Sequence, residues 1–514
     1  MIRTFLVIIL TFLSLGLSAQ QETTVRPMLN NDVAIPNGGI FRTWTGNLSD
    51  IKTINVFSES PYKNLSNIIY TRIDWCTLEK AKGKYSFDYI ESLMKKSLKN
   101  HQRLILGLSN MSIAKSSTHI QYDGKQICTP TYVYDKLSKS QYPFFKDEIY
   151  CKDGYSPDYR SPYLLKRYKA LLSAFAKWIE GDVEGTSVKR KDVIYGIETR
   201  YLGYWGEGSM NGKYYPEDYR VLDAYLNLYN SLFPDILLIG GAHETIHCPN
   251  YRGEDLSKYS AKELSAMRHV YHLLNMKNEY GRAGLFIDSW NSSSNQYDSI
   301  SKRVIVDDSN QVLFLYPYLR DHVYGKVYMT GEFDYFTRNS DSNLLPYVNL
   351  GQQFRARHTS GITLSNMNAH DAEKFASRKQ EIYDNTKKVM AFTGYRIVLD
   401  NVKLTGNSLS FMLTNIGESK IFHDYYQLHL LIKNENGDII KDAPTNFDFR
   451  TLDYNSAAAV QYGRTVGKRL TFQLPKVAGS VFIIIKDKKN IEYPMTLSNY
   501  GRQKDGSYFL IKLR

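Results

Sequence analysis

Apolar residues recur through the middle of this chain in two alternating rhythms. Short runs rich in β-branched and aromatic residues, such as Ile68-Ile-Tyr-Thr-Arg-Ile-Asp-Trp75, predict strands. Between them lie stretches with apolar residues three and four apart, as at Phe87, Ile90, Met94 and Leu98, which predict amphipathic helices. The pattern then continues as a strand over 103–108 and a helix that Ser161-Pro162 can cap, running to Trp178. Next come a strand before Glu207, a helix over 219–232, a strand over 236–240, a helix over 261–275 and a strand over 284–288. A helix near 312–320, a strand ending at Glu332, a helix closed by 354–357 and a strand over 361–365 complete the series. Phe41-Arg-Thr-Trp44 supplies either a first strand or a plug at the barrel bottom. About eight strand and helix units in alternation predict a closed parallel barrel.

From about residue 395 the rhythm shortens to strands at hairpin-like intervals, over 396–400, 408–414, 426–432 and 480–486, with a turn at Glu435-Asn-Gly-Asp438. That spacing predicts an antiparallel sandwich. The expected fold is therefore α/β: a (β/α)8 TIM barrel followed by a small antiparallel β-sandwich. Its expected divisions are 1–19 as signal peptide, 20–394 as barrel and 395–514 as sandwich.

The signal peptide is read from Arg3, the apolar run over 5–17 and the small residues before Gln20. It implies a secreted or periplasmic protein. No cysteine stands near the cleavage site for a lipid anchor, and no later run has the length and apolarity of a transmembrane helix. The 514 residues carry a formal charge of +13, an excess that would suit an acidic glycan but also fits lysines on solvated helical faces. There is no arginine-rich tract or nucleic-acid motif. Cys76, Cys128, Cys151 and Cys248 lack zinc-site spacing, so neither a metal nor a cofactor is expected. Cys128 and Cys151 share a turn-rich segment over 109–160, where a disulfide and two buried thiols are both open readings.

Two glutamates carry the expected chemistry. Glu207 ends Tyr204-Trp-Gly-Glu207 and Glu332 ends Thr330-Gly-Glu332, each after a glycine beyond or within a strand-like run. The 125 residues between them leave room for about three strand and helix units, which places them on strands such as the fourth and seventh. Paired carboxyls at one barrel end are what glycosidic cleavage requires, one to protonate the leaving oxygen and one to meet the developing positive charge. The expected roles are Glu207 as acid/base, its proton favoured by burial beside Trp205 and by the negative charge of Glu332, and Glu332 as nucleophile, with carboxyls about 5 to 5.5 Å apart. Glu198 and Arg200, two apart on one strand, share a face and read as a structural ion pair.

Arg72-Ile-Asp-Trp75, with Glu79, Gly83, Tyr85, Phe87 and Asp88 after it, resembles a segment of the clan A (β/α)8-barrel glycoside hydrolases, in particular the β-galactosidase-like barrels. The Glu207 and Glu332 motifs resemble that family's fourth-strand acid/base and seventh-strand nucleophile. Barrel followed by sandwich is also similar to uncharacterised exported bacterial glycosidase-like proteins. The resemblance spans about 37–368 and implies a retaining mechanism without metal. Gly206 stands where many members have asparagine, and no tryptophan lies near the eighth strand, a stacking role that Trp290 could fill.

Candidate substrate-binding residues are Arg72, Trp75, Trp205, His243, Glu244, Asp288, Trp290, Asn291 and Tyr335. His243, Glu244 and His247 fit no strong zinc pattern. The expected function is an exported retaining glycosidase that cleaves a β-linkage in a polysaccharide or glycan. The alternative is a barrel that binds glycan without cleaving it.

Overall fold

The computed structural model describes residues 21–23, 41–45, 68–110, 120–146, 154–203, 206–208, 214–241, 248–287, 300–333, 355–364, 393–454 and 467–513. The chain divides into two compact units, Gly38–Gly394 and a second made of Met1–Asn37 with Tyr395–Arg514.

The first unit is a closed eight-stranded barrel. Its strands in chain order are β1 (Phe41–Thr45), β2 (Ile68–Asp74), β3 (Arg103–Asn110), β4 (Ile194–Thr199), β5 (Leu238–Gly241), β6 (Gly284–Ile287), β7 (Met329–Phe333) and β8 (Ile362–Leu364). Every neighbour pair is parallel, and β8 closes on β1 through Ile362 opposite Phe41 and Leu364 opposite Thr43. Phe41–Thr45 is thus a barrel strand and not a plug.

Helices α1 (Asp88–Lys99), α2 (Pro162–Ile179), α3 (Arg220–Leu232), α4 (Ala261–Leu274) and α5 (Leu315–His322) fall between these strands. Each buries one apolar stripe: α1 through Ile90, Leu93 and Met94, α2 through Leu164, Tyr168, Leu171, Leu172 and Phe175. Ser161 caps α2 by accepting a hydrogen bond from the Leu164 amide at 3.3 Å, and Pro162 opens the helix where no backbone donor is needed. Ser260 and Glu263 form a reciprocal capping box on α4.

Three expectations change. The stretch expected as a helix from Val312 begins as a strand, Val312–Phe314, paired with Val304–Val306, and turns helical only at Leu315. Val304, Ile305 and Val306 are a short apolar run buried at every position, and pairing with it holds Val312–Phe314 extended. The 109–160 segment contains a helix, Thr131–Leu137, which buries Val133, Tyr134 and Leu137. Residues 20–37 are expected in the barrel, yet Gln21–Thr23 pairs antiparallel with Ile397–Thr405 in the second unit. A three-residue edge strand takes its partner from backbone hydrogen bonding alone, so no hydrophobic rhythm announces it.

In the second unit two four-stranded antiparallel sheets contain Ile397–Thr405, Ser408–Asn415 and Lys468–Gln473 on one side and Tyr426–Lys433, Ile439–Pro444, Gly479–Asp487 and Tyr508–Leu513 on the other. Leu399, Leu409, Phe411 and Leu413 of the first share one core with Leu428, Leu430, Val481, Ile483 and Ile485 of the second. Alternate residues face that core, the period-2 signature of a sandwich.

Candidate active site

The site begins with alternation on two strands. Tyr70 and Arg72 share one face of β2, and Glu198 and Arg200 share one face of β4 and its exit. Between them runs β3, where Gly107 pairs in register with both Arg72 and Glu198. A Cβ at Gly107 would stand 3.0 Å from the Cγ of Arg72 and 3.0 Å from the Cγ of Arg200. The missing side chain lets two arginine stems cross over the middle strand.

Their heads converge on buried acceptors. Glu198, 1 % exposed, accepts from the Tyr70 hydroxyl at 2.6 Å and from Arg200 at 2.7 and 2.8 Å. The Tyr70 hydroxyl accepts from Arg72 Nε and from Arg200 Nη2, the latter at 3.0 Å. Phe286 of β6 lies beneath both guanidiniums, 4.3 Å from that of Arg200 and 5.3 Å from that of Arg72. Burial and the nearby Arg72 oppose the charge on Arg200, but Glu198, Tyr70 and Glu207 outweigh them and hold the guanidinium above its ordinary range.

Glu207 is returned to this cluster by a turn after β4. The Gly206 amide donates to Gly203 O at 3.0 Å and the Gly208 amide to Leu202 O at 2.7 Å. Gly206 has φ +69° and passes so close to Arg200 that a Cβ would lie 2.7 Å from the Arg200 carbonyl oxygen. Here the left-handed backbone and the close approach both require glycine. A Cβ at Gly241, at the end of β5, would lie 3.7 Å from the Glu207 backbone, an ordinary contact. Glu207 itself is 4 % exposed; its Oε1 is ion-paired with Arg72 and lies 3.5 Å from Arg200 Nη1.

Two buried guanidiniums facing one carboxylate favour its ionised form. The expected protonation of Glu207 rests on burial beside Trp205 and on the charge of Glu332, and the two arginines act against both. Arg72 does contact the Glu207 carboxylate, and the Glu198–Arg200 pair is present as expected. Glu207 follows the fourth barrel strand and Glu332 lies within the seventh, where its backbone pairs in register with Thr363 of β8.

Trp75 is not a ligand surface. It is fully buried, its indole donates to Glu79 at 2.8 Å, and its ring meets Tyr168 edge-on at 5.7 Å. Its backbone has left the strand for a short helix, Trp75–Leu78, which turns the ring into the core. Trp205, His243, Glu244, Asp288, Trp290, Asn291 and Tyr335 lie outside the described residues, as do His247 and Cys151. Cys76, Cys128 and Cys248 are buried, and burial pushes the Cys76 thiol far up. Among the described residues no cluster of acids, histidines and cysteines could hold a metal ion. No helix among them is long and apolar enough to cross a membrane.

Tyr70, Gly107 and Phe286 had no place in the expected site. Tyr70 could have been found from its i, i+2 relation to Arg72; Gly107 and Phe286 stand in plain apolar runs that carry no such signal.

No family model and no curated protein matches the chain. Solved structures with some likeness include the catalytic domain of β-amylase from Paenibacillus polymyxa, 13 % identical, covering 67 % of this chain and 99 % of that one, with a TM-score of 0.41. Endo-glycoceramidase II from Rhodococcus sp. is 8 % identical over 88 % of this chain and 100 % of its own, with a TM-score of 0.40. A GH30 endoxylanase from Clostridium papyrosolvens is 11 % identical over 90 % and 98 %, with a TM-score of 0.31. Likenesses this distant decide nothing about activity, and the barrel stands on its own strand pairing.

Proposed function

We propose that this chain is an exported retaining glycoside hydrolase acting on a β-linked polysaccharide or glycan, with Glu207 and Glu332 as its carboxyl pair. The observation that carries the reading is Glu207: a desolvated carboxylate held by Arg72 and Arg200 after the fourth strand of a closed parallel barrel whose seventh strand bears Glu332. In such a barrel the strand ends and the loops beyond them share one functional face.

The arginines favour Glu207 as the member ionised at rest, so the proton falls to Glu332, the reverse of the expected roles. Glu207 attacks the anomeric carbon while Glu332 protonates the departing oxygen. Glu332 then draws a proton from water as that water attacks the glycosyl ester, releasing the sugar and the Glu207 carboxylate. Arg72 and Arg200 stabilise that carboxylate as it leaves in the second step.

A panel of plant, host and microbial glycans would identify the substrate, and azide would assign the roles. With Glu207→Ala, azide should fill the vacated space and give a glycosyl azide of inverted configuration. With Glu332→Ala and an aryl glycoside of low leaving-group pKa, azide should give the retained product. The opposite stereochemistry would restore Glu332 as nucleophile. A barrel that binds a glycan of the panel but hydrolyses none would be the non-catalytic alternative.

A further inference from the structure

Behind the site, a hydrogen-bonded chain runs from the residue after Arg200 to the surface. The Tyr201 hydroxyl meets His269 Nε2 at 2.8 Å, and His269 Nδ1 meets Asp223 Oδ1 at 2.8 Å. The other oxygen of Asp223 bonds His272 Nδ1, and His272 Nε2 meets Asp308 Oδ1 at 2.8 Å. His269 and His272 are three apart on α4 and so share a face, opposite Asp223 on α3. Tyr201 is fully buried and stacked on Tyr225 at 5.7 Å, which leaves its ring little room to move.

Donor and acceptor rules fix the proton positions. A carboxylate only accepts, so His272, with a carboxylate on each ring nitrogen, needs both N–H groups and is an imidazolium. His269 keeps its Nδ1 proton and donates it in a hydrogen bond to Asp223, which leaves Nε2 to accept from Tyr201 while the ring stays neutral.

We propose that this chain of side chains is a positioning relay that holds the Tyr201–Arg200 segment in place, and that loss of the proton on His272 loosens it. Its effect on catalysis rests on the reading of Glu207 given above; its effect on the order of the segment does not.

The charged surroundings of His272 support the direction. Asp223 faces it from α3, with the Tyr219 ring edge-on at 5.4 Å, and Asp308 faces it from the turn of the Val304–Phe314 hairpin. Asp307 in that turn is spent on the Ser309 and Gln311 amides. On α4 itself stand His269, Tyr271 and Arg268; Arg268 lies 3.5 Å from Asp308 and donates to Asn310 at 2.6 Å. The hydrogen bond to Asp223 raises His272 above the ordinary imidazole range against the pull of partial burial. Burial lowers His269 despite Asp223. The stabilisation from His272 is therefore complete below about pH 6.5 and lost as pH rises through its raised value. That from a neutral His269 is present above about pH 6.5 and fades as pH falls toward its lowered value. Order in the segment should peak between the two.

The test is amide hydrogen exchange of the peptide containing residues 200–202 in the full-length protein, corrected for intrinsic rates, with imidazole NMR titration alongside. Between about pH 6 and about pH 9 its protection should fall roughly tenfold, the loss expected for a hydrogen bond to a charged group. His272→Gln, at a partly exposed position, should remove that dependence. Tyr201→Phe deletes only a hydroxyl and should uncouple the segment while His272 still titrates high. Protection that does not change with pH, or a His272→Gln profile equal to that of the parent, would overturn the relay. Failure to find hydrolysis would leave this result standing and sink only the proposed function.

Discussion

Glu79 and Glu207 are both buried glutamates of the barrel unit held by arginine, and they teach opposite lessons. Glu79 is fully buried and accepts from the Trp75 indole at 2.8 Å, the Gly83 amide at 2.7 Å and Arg167 at 2.6 Å. Those bonds close the hairpin Glu79–Ala81 with Lys84–Tyr85 and pin it to α2, which carries Arg167. Glu207 instead faces two arginines that are themselves shared with Glu198 and Tyr70, in a turn where glycine flanks it on both sides. Burial beside an arginine does not by itself distinguish a site from a staple. On the proposed function, what sets Glu207 apart is its position after a barrel strand, the close backbone approach and its surplus of cationic partners.

The largest expected effect on stability is at the staple. Glu79→Ala would leave the Arg167 charge and the Trp75 indole without their acceptor in the core, and breaking such a pair costs about 3–5 kcal/mol. Chemical denaturation of the variant should show that loss; a midpoint within error of the parent would make Glu79 as dispensable as a surface acid.

The glycines sharpen the contrast. Gly206 and Gly83 both have positive φ, +69° and +74°, but a Cβ at Gly83 meets nothing within 4 Å while one at Gly206 meets the Arg200 backbone at 2.7 Å. Gly206→Ala should cost about 2–4 kcal/mol, from left-handed strain plus overpacking, and should displace Glu207. Gly83→Ala should cost only about 1–2 kcal/mol, from the strain alone, with no effect on turnover. Equal losses in the two variants, read by denaturation, would remove the close approach from the account.

The smallest effect is at a helix end far from both glutamates in role. Ser161→Ala removes the cap on the Leu164 amide and should cost about 1 kcal/mol, measurable as a shift in the unfolding midpoint without change in the m-value.

Much of the barrel was legible because its rhythms are strong. The α2 cap, the Ile68–Asp74 strand and the positions of Glu207 and Glu332 after the fourth and within the seventh strand all follow from local pattern. What escaped depends on contacts across the fold. Trp75 reads as a strand-end aromatic until the chain turns it onto Glu79, and Tyr70 reads as a strand filler until Arg72, Arg200 and Glu198 meet at its hydroxyl. The contact of Arg72 with Glu207 is likewise made by the fold, since Arg72 comes from a strand more than a hundred residues earlier.

The measurement closest to the central claim is the turnover of Glu207→Gln and Glu79→Gln, each per folded molecule, on a glycan that the parent protein cleaves. Glu207→Gln should lose about 10²- to 10⁴-fold or more while remaining folded, since glutamine retains the shape but neither attacks nor exchanges a proton. Glu79→Gln should unfold more easily yet turn over like the parent. A Glu207→Gln protein that hydrolyses at the parental rate would show that the arginine-held carboxylate after the fourth strand is a second staple and not the seat of catalysis.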